Sequence, residues 1–595
     1  MGIVSRCAGC AAMGRENTAG QRGYPMTTEG KPGYGPGMRD MKKICLIDSP
    51  VTLKAAFEEL GCEVLALNGS PEPFLALDET LAERGFAPDL VMQVESLGPR
   101  CLVTGLDGLD CPALLWCIDP HLNGYWHGAY ARLFDLTCST QLASVPVLRQ
   151  RGARDVRWLP TFGHGSASPD HAARAWDAAF VGRLTAERPA RTWMVRLLEE
   201  RCAGYALAVR QGLTFGAMMD LYRDARIIPN QSILGEVNFR LFEGASCGCL
   251  VLSEALGEEQ ETLFAPGREF DTYGDAVELD EKLTMYLKNP RLTQAMGRAA
   301  RERVLAEHTA LHRARRILEW ARDAVDGRAR GRDADLWTAL TAAAMQEGGV
   351  IGISAGEALA RLAGCGCDPA TADIFADVAC AILRVQAVDG KTGPMASTMD
   401  ALLAVGMCAD SPGVNLTGSM AALRLGRFDA ARAFWYRHVK AMGISNPGQP
   451  DTPAALLTLW ARDLSRRGRV VRAGFAFDPA VHLPDSAVEC LLALLADQPE
   501  HLPTLRLLDA MLRPLPGLSQ LRVGFLSVLT LHERKEWRLA LELALASLRA
   551  CRLASGLDEL ALARTLARSQ GQDSAFARAL AVGDRSGLLA ARLGA

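Results

Sequence analysis

Short apolar runs alternate with stretches of helical spacing over the first half of the chain. Apolar runs at 42–48, 62–67, 89–94, 113–118, 133–139 and 156–159 predict buried strands. Between them, 53–60, 75–84 and 142–150 carry apolar positions three and four apart and predict helices. After a Gly/Ser/His-rich linker at 161–174 the rhythm restarts, with strands expected at 176–181, 205–209, 226–229, 249–253 and 267–273. Helices are expected between these runs and at 276–287, 291–305 and 309–324. Strands alternating with helices predict two open parallel α/β sheets, the first at 41–163 and the second at 175–325. Two such domains make an interdomain cleft, the expected place for a small-molecule site.

From about 334 the strand signal stops, and Ala/Leu-rich helical spacing continues to the end. The expected fold is therefore α/β, two Rossmann-like parallel-sheet domains followed by an all-α solenoid-like domain at 334–595. The hairpin around Leu425-Gly-Arg-Phe-Asp, with Phe434 and Tyr436, resembles a tetratricopeptide helix–turn–helix. That surface is a place to dock a protein partner or simply a cover for the sheets.

The segment 230–253, NQSILGEVNFRLFEGASCGCLVLS, reads as loop, helix, glycine stop and buried strand. On a helix of about 100° per residue, Glu236, Arg240 and Glu243 fall on one narrow polar stripe in an otherwise apolar circumference. Such groups, when buried, need partners. The stripe is either an internal Glu–Arg pair or a face turned to a ligand. In the first half, the densest polar and aromatic cluster is a predicted strand-end loop holding Asp119, His121, Asn123, Tyr125, Trp126 and His127. Ligands on open parallel sheets bind beyond the carboxyl ends of the strands.

Composition narrows the class. The chain has 595 residues, too many for one core, with 49% hydrophobic and 22% charged residues. A net charge of −3 argues against nucleic acid as a partner, and no apolar run reaches the length of a membrane span. The odd count of 17 cysteines, spread through predicted core, fits reduced thiols and a cytoplasmic protein. Cys7 and Cys10 form a CxxC with no second pair nearby, and residues 1–40 lack sustained periodicity and are expected to be disordered. The triplet Asp333-Ala-Asp335 lies in a charged linker and reads as solvated surface, so no metal site is expected.

The residues at 238–248 (NFRLFEGASCG), 261–267 (ETLFAPG) and 297–308 (GRAARERVLAEH) resemble the carboxyl half of a GT-B glycosyltransferase. The likeness is closest to the CgeB-type, spore-maturation-protein-like branch of the group-1 enzymes, and it covers about 41–325. The Trp126-His127 region resembles the same family's amino half. The resemblance implies a nucleotide-diphosphate sugar as donor, an unidentified glycan or protein as acceptor, and no cofactor. It places Glu243 on the ribose hydroxyls, where a carboxylate accepts two hydrogen bonds. It puts Asn230, Gly235, Asn238, Arg240 and Arg183 around the diphosphate, with the loop 230–235 offering backbone N–H groups at a helix amino end. Arg240 either reaches the phosphates or pairs with Glu243, and pairing is the favoured expectation. Glu236 and Glu243 stand one position closer than the family's two-glutamate pattern, so Glu236 receives no sugar-contacting role. An inverting reaction needs a base near the acceptor, for which His127 and Asp119 are the candidates and His164 a weaker one. The alternatives are a catalytically silent sugar-nucleotide binder and a scaffold whose helical third does the work.

Overall fold

The computed structural model describes residues 41–70, 72–165, 171–186, 188–365, 372–404 and 408–594. The CxxC at Cys7 and Cys10 and the expected disorder of 1–40 lie outside them.

Six parallel strands form the first sheet: β1 (Lys43–Ile47), β2 (Glu63–Leu67), β4 (Leu90–Val94), β6 (Ala113–Cys117), β7 (Leu136–Ser139) and β8 (Val156–Trp158). Their order is β2-β1-β4-β6-β7-β8. A separate two-stranded ribbon pairs β3 (Phe74–Ala76) with β5 (Leu102–Thr104) and was not expected from the pattern. The second sheet holds β9 (Trp176–Val181), β10 (Leu207–Arg210), β11 (Ala225–Asn230), β12 (Leu250–Glu254) and β13 (Asp271–Tyr273), in the order β10-β9-β11-β12-β13. Every pairing is parallel, and the central strands are buried on both faces. The chain order reverses between β9 and β11, and the crevice at their carboxyl ends is where such a sheet receives a ligand.

All-helical structure follows from helix Arg332–Glu347 to the end. It does not form a body of its own. Among the described residues, 41–160 and 313–497 make one compact unit, and 161–312 and 498–595 make the other. In the first unit one core joins Val91, Leu115 and Tyr130 to Leu336, Leu340 and Val385. The carboxylate of Asp135 ties the returning chain to this sheet. It accepts N–H bonds from Ala113 at 2.9 Å and Gly327 at 3.0 Å and lies 3.3 Å from Arg328. In the second unit one core joins Phe180, Leu198, Ile227 and Leu252 to Trp537, Leu541, Leu548 and Leu560. The single helical domain expected at 334–595 is thus divided at 497/498. The reason is area: a helix hydrophobic on one face buries it on the nearest open sheet flank. The expected hairpin at Leu425 is present, with helices Pro412–Arg424 and Phe428–Ala441 packed through Gly418 and Phe434.

Gly248 ends helix Phe239–Ser246 at φ 68°, as its sequence position implied. Helix Pro290–Glu307 crosses there, and a Cβ on Gly297 would stand 2.2 Å from the Gly248 carbonyl oxygen. This close crossing holds the helix that carries Glu243 against its strand.

Trp537 is 3% exposed and seals the second sheet's flank. Trp537→Ala is expected to lower the unfolding free energy by roughly 3–5 kcal/mol, measured by urea denaturation. A chain ending at residue 497 is expected to bind a hydrophobic dye that the full chain excludes.

Candidate functional site at the carboxyl end of the second sheet

The crevice between β9 and β11 is bridged by Arg240. Its Nη1 donates to Asn230 Oδ1 at 2.8 Å and its Nη2 to the Val181 carbonyl at 2.8 Å. The guanidinium lies 4.9 Å from the Phe180 ring centre. Arg240 forms no ion pair with Glu243, so the favoured expectation of pairing is corrected. The two residues are three apart on one helix, but the strand ends offer Arg240 two better-aligned acceptors.

Asn230 is 1% exposed and fully committed. Its Nδ2 donates to Ser253 Oγ at 2.9 Å, its Oδ1 also accepts from Asn238 Nδ2 at 2.9 Å, and its carbonyl accepts from Tyr273 Oη at 2.9 Å. Asn230 therefore organises the site rather than offering its side chain to a ligand.

Glu236 is not on the helix. Helix Phe239–Ser246 begins three residues later, after Gly235 takes φ 93°. The three-residue stripe shrinks to Arg240 and Glu243. Glu236 folds back and accepts the N–H groups of Ile233 at 2.8 Å and Leu234 at 2.8 Å. Glu254, at the end of β12, accepts the N–H of Ser232 at 2.8 Å and also its hydroxyl. The Gly235 N–H goes to Ser232 Oγ at 3.0 Å. Of the loop N–H groups expected to await a diphosphate, those of Ser232, Ile233 and Leu234 are thus taken by two carboxylates and that of Gly235 by a hydroxyl, and that expectation is corrected.

Glu243 is half-buried on the first turns of its helix, and its carboxylate makes no hydrogen bond or ion pair among the described residues. Burial pushes its carboxyl up to about 7, against the pull of Arg240. Asn238, the residue that opens the helix, keeps its Oδ1 buried with no hydrogen-bond donor. Arg183 is exposed beyond β9, without a partner among the described residues, and Gly182 beside it packs on Phe180 and Arg240.

Arg191, which the sequence did not single out, lies buried in helix Pro189–Arg201 and donates to Gln231 Oε1 at 3.1 Å. Burial first, then the neighbouring charges of Arg240 and Arg188, push its guanidinium down to about 9. Positive charge is therefore concentrated at this strand end. Glu254 was also missed, and burial pushes it up to about 7. Its position as the last residue of a strand was the legible signal. Arg191 carried none, since an arginine in a helix's first turn looks like any solvated one.

In the other unit, Asp119 to His127 is not a loop. Helix Pro120–Tyr130 starts there with Asp119 before its first turn. Asn123 and His127, four apart, turn together onto Glu95 at the end of β4. Glu95 accepts from Asn123 Nδ2 at 2.6 Å, Ile118 N at 2.7 Å and Asp119 N at 2.9 Å, and lies 3.3 Å from His127 Nε2. Burial alone would raise the Glu95 carboxyl, but His127 and these donors hold it well below the carboxylate range. His127 is 0% exposed, which weighs against it as a base in this conformation. Asp119 is half-exposed and keeps that candidacy. His164 is pinned rather than hinged: its N–H bonds Ser246 Oγ at 2.8 Å and its ring meets Phe215 at 4.8 Å. Asp333 and Asp335 are exposed, and no cluster of metal-ligating side chains occurs among the described residues. No helix among them is long and apolar enough to cross a membrane.

A half-buried carboxylate with no side-chain partner thus stands beside concentrated guanidinium charge at the order reversal of a parallel sheet, where such sheets receive ligands. Residues 178–319 match the model of a glycosyl transferase-like family. No curated protein matches the chain. Among solved structures, sucrose-phosphate synthase from Thermosynechococcus elongatus is 14% identical, over 47% of this chain and 98% of that one, with a TM-score of 0.36. A glycosyltransferase from Rickettsia africae is 11% identical, over 48% and 99%, with a TM-score of 0.35. Anabaena Alr3699/HepE, in complex with UDP and glucose, is 13% identical, over 47% and 99%, with a TM-score of 0.33.

Glu243 makes a signed prediction. Its carboxyl sits near 7 when folded against 4.5 ordinarily, so its contribution to stability is present below about pH 4.5 and is lost as pH rises through 7. Glu243→Gln removes the charge, so its unfolding midpoint should exceed that of the unsubstituted protein at pH 8 and not at pH 4. Thermal melts at the two pH values test this.

Proposed function

We propose that this chain is a glycosyltransferase that takes a sugar from a nucleotide-diphosphate donor held at the carboxyl end of the second sheet. The observation that carries the reading is Glu243, a half-buried carboxylate with no partner inside a segment matched by a glycosyl transferase-like model. A ribose offers two hydroxyl donors to such a group, and hydrogen bonds to a charged acceptor are the strong ones. Asn238 Oδ1 is a second open acceptor. The diphosphate needs positive charge, which Arg183 and the field of Arg191 and Arg240 supply without a metal ion. Gly235 leaves the backbone open beside the site.

The donor class is a nucleotide hexose, and the acceptor is a hydroxyl of a glycan or protein. Asp119 is the remaining candidate for a base if the reaction inverts. The residues at 238–248 support a CgeB-type affinity, and the helix pair joined at Gly426 supports a tetratricopeptide-like one. The described cysteines are free, which supports a reducing, cytoplasmic setting.

A second reading has one observation in its favour. Glu236 spends its carboxylate on Ile233 and Leu234, so the sugar-contacting glutamate of the two-glutamate pattern is missing here. A donor-binding protein without turnover fits that arrangement.

Calorimetry with UDP-, GDP- and ADP-linked sugars tests the donor site. One of them should bind, and Glu243→Ala should cost roughly 1.5 to 3 kcal/mol of affinity. Binding should weaken as pH falls through 7, because protonation removes the acceptor, and Glu243→Gln should flatten that dependence. If none of the sugars binds, or if Glu243→Ala binds equally well, the site is wrong. Release of the nucleotide from a bound donor separates the enzyme from the silent binder.

A further inference from the structure

Residues 498–595 do more than cover an apolar flank. At the short turn Pro516–Leu518 the main chain of Gly517 runs against the loop between β11 and helix Phe239–Ser246. A Cβ on Gly517 would stand 2.5 Å from the Leu234 carbonyl oxygen, 2.7 Å from its carbon and 3.2 Å from Gly235 N. These are backbone atoms and cannot swing aside as a flexible side chain would. Three residues on, Gln520 Oε1 accepts the N–H of Ala190 at 3.3 Å, in the first turn of the helix that carries Arg191. One five-residue stretch therefore meets both connections that leave the carboxyl ends of β9 and β11. The apolar packing of Trp537, Leu541 and Leu548 does not require either contact.

The carboxylates of Glu236 and Glu254 hold the loop's N–H groups, but at Gly235, which is exposed and left-handed, nothing stands within 4 Å of where a Cβ would lie, so no side chain covers the loop at the point where Gly517 meets it. Moving Leu234 would draw its N–H off Glu236 and shift the start of the helix bearing Asn238, Arg240 and Glu243.

We propose that residues 516–520 brace the donor-binding loops, making Gly517 and Gln520 positioning residues of the donor site supplied by the helical carboxyl end. The proposal rests on the nucleotide-sugar reading above. It means that the carboxyl-terminal helices sharpen the affinity of a site whose ligand they need not touch.

The test uses the full chain and calorimetry with UDP, GDP and ADP, following whichever binds the unsubstituted protein. Gly517→Ala is expected to weaken that diphosphate about tenfold, and Gln520→Ala is expected to weaken it several-fold, each with a cooperative unfolding transition retained. Gly524→Ala, on the exposed face of helix Ser519–His532 with nothing near its Cα, should bind as the unsubstituted protein does. If Gly517→Ala does not fold, Gln520→Ala decides. Unchanged affinity in the folded variants overturns the brace and leaves the donor site standing. Absence of binding by the unsubstituted protein overturns the donor site, and the brace with it.

Discussion

The guanidinium of Arg240 closes the second sheet where its strand order reverses. A parallel sheet leaves carbonyl groups unpaired at its carboxyl end, and a reversal leaves them with no crossing connection above. Arg240 meets the Val181 carbonyl and the Asn230 side chain from one planar fork and lays its face on Phe180. The arrangement brings a buried positive charge to the crevice without an ion pair to cancel it. Arg191 adds a second, and burial beside Arg240 lowers its affinity for its own proton. The neighbouring carboxylates of Glu236 and Glu254 offset part of the repulsion between the guanidinium groups.

Those carboxylates divide the work. Glu236 and Glu254 hold the loop 231–236 by its N–H groups, which fixes the loop but removes it as an anion cradle. Glu243 holds nothing and stays protonated more readily than a free carboxyl because water is partly excluded from it. Three glutamates within one neighbourhood therefore have two structural roles and one open one. The same economy appears in the first sheet, where Glu95 gathers Asn123, His127 and two backbone donors and leaves His127 buried. There part of the polar cluster that looked chemical in the sequence turns inward onto Glu95, while the Trp126 indole N–H and both His127 ring nitrogens stay buried without a hydrogen bond.

The sequence made the sheets legible because parallel strands buried on both faces are short continuous apolar runs, set apart from buried helix segments by their length and by the turn residues that bound them. It also marked Glu243 through its neighbours at 238–248. The ribbon of β3 and β5 was hidden because three-residue strands carry no period. Helix Pro120–Tyr130 was hidden by Pro120, Asn123 and Gly124, which read as a turn until Asn123 and His127 found Glu95. Helix phase failed at Glu236, where Gly235 set a new backbone direction before the helix began.

What the sequence determined by itself is the alternation of strands and helices, the buried character of helix Phe239–Ser246 and the carboxylate at 243, since these follow from local spacing and from a neighbourhood of residues close along the chain. What only the tertiary structure decided is which charges remain open. Arg240 chose strand ends over Glu243 and His127 chose Glu95, because a well-aligned partner distant in sequence outcompetes a near one, and Glu236 chose its own loop because Gly235 turned it off the helix. The division of the helical third between two sheets was decided in the same way, because a helix's apolar face records that it will be buried and not against what.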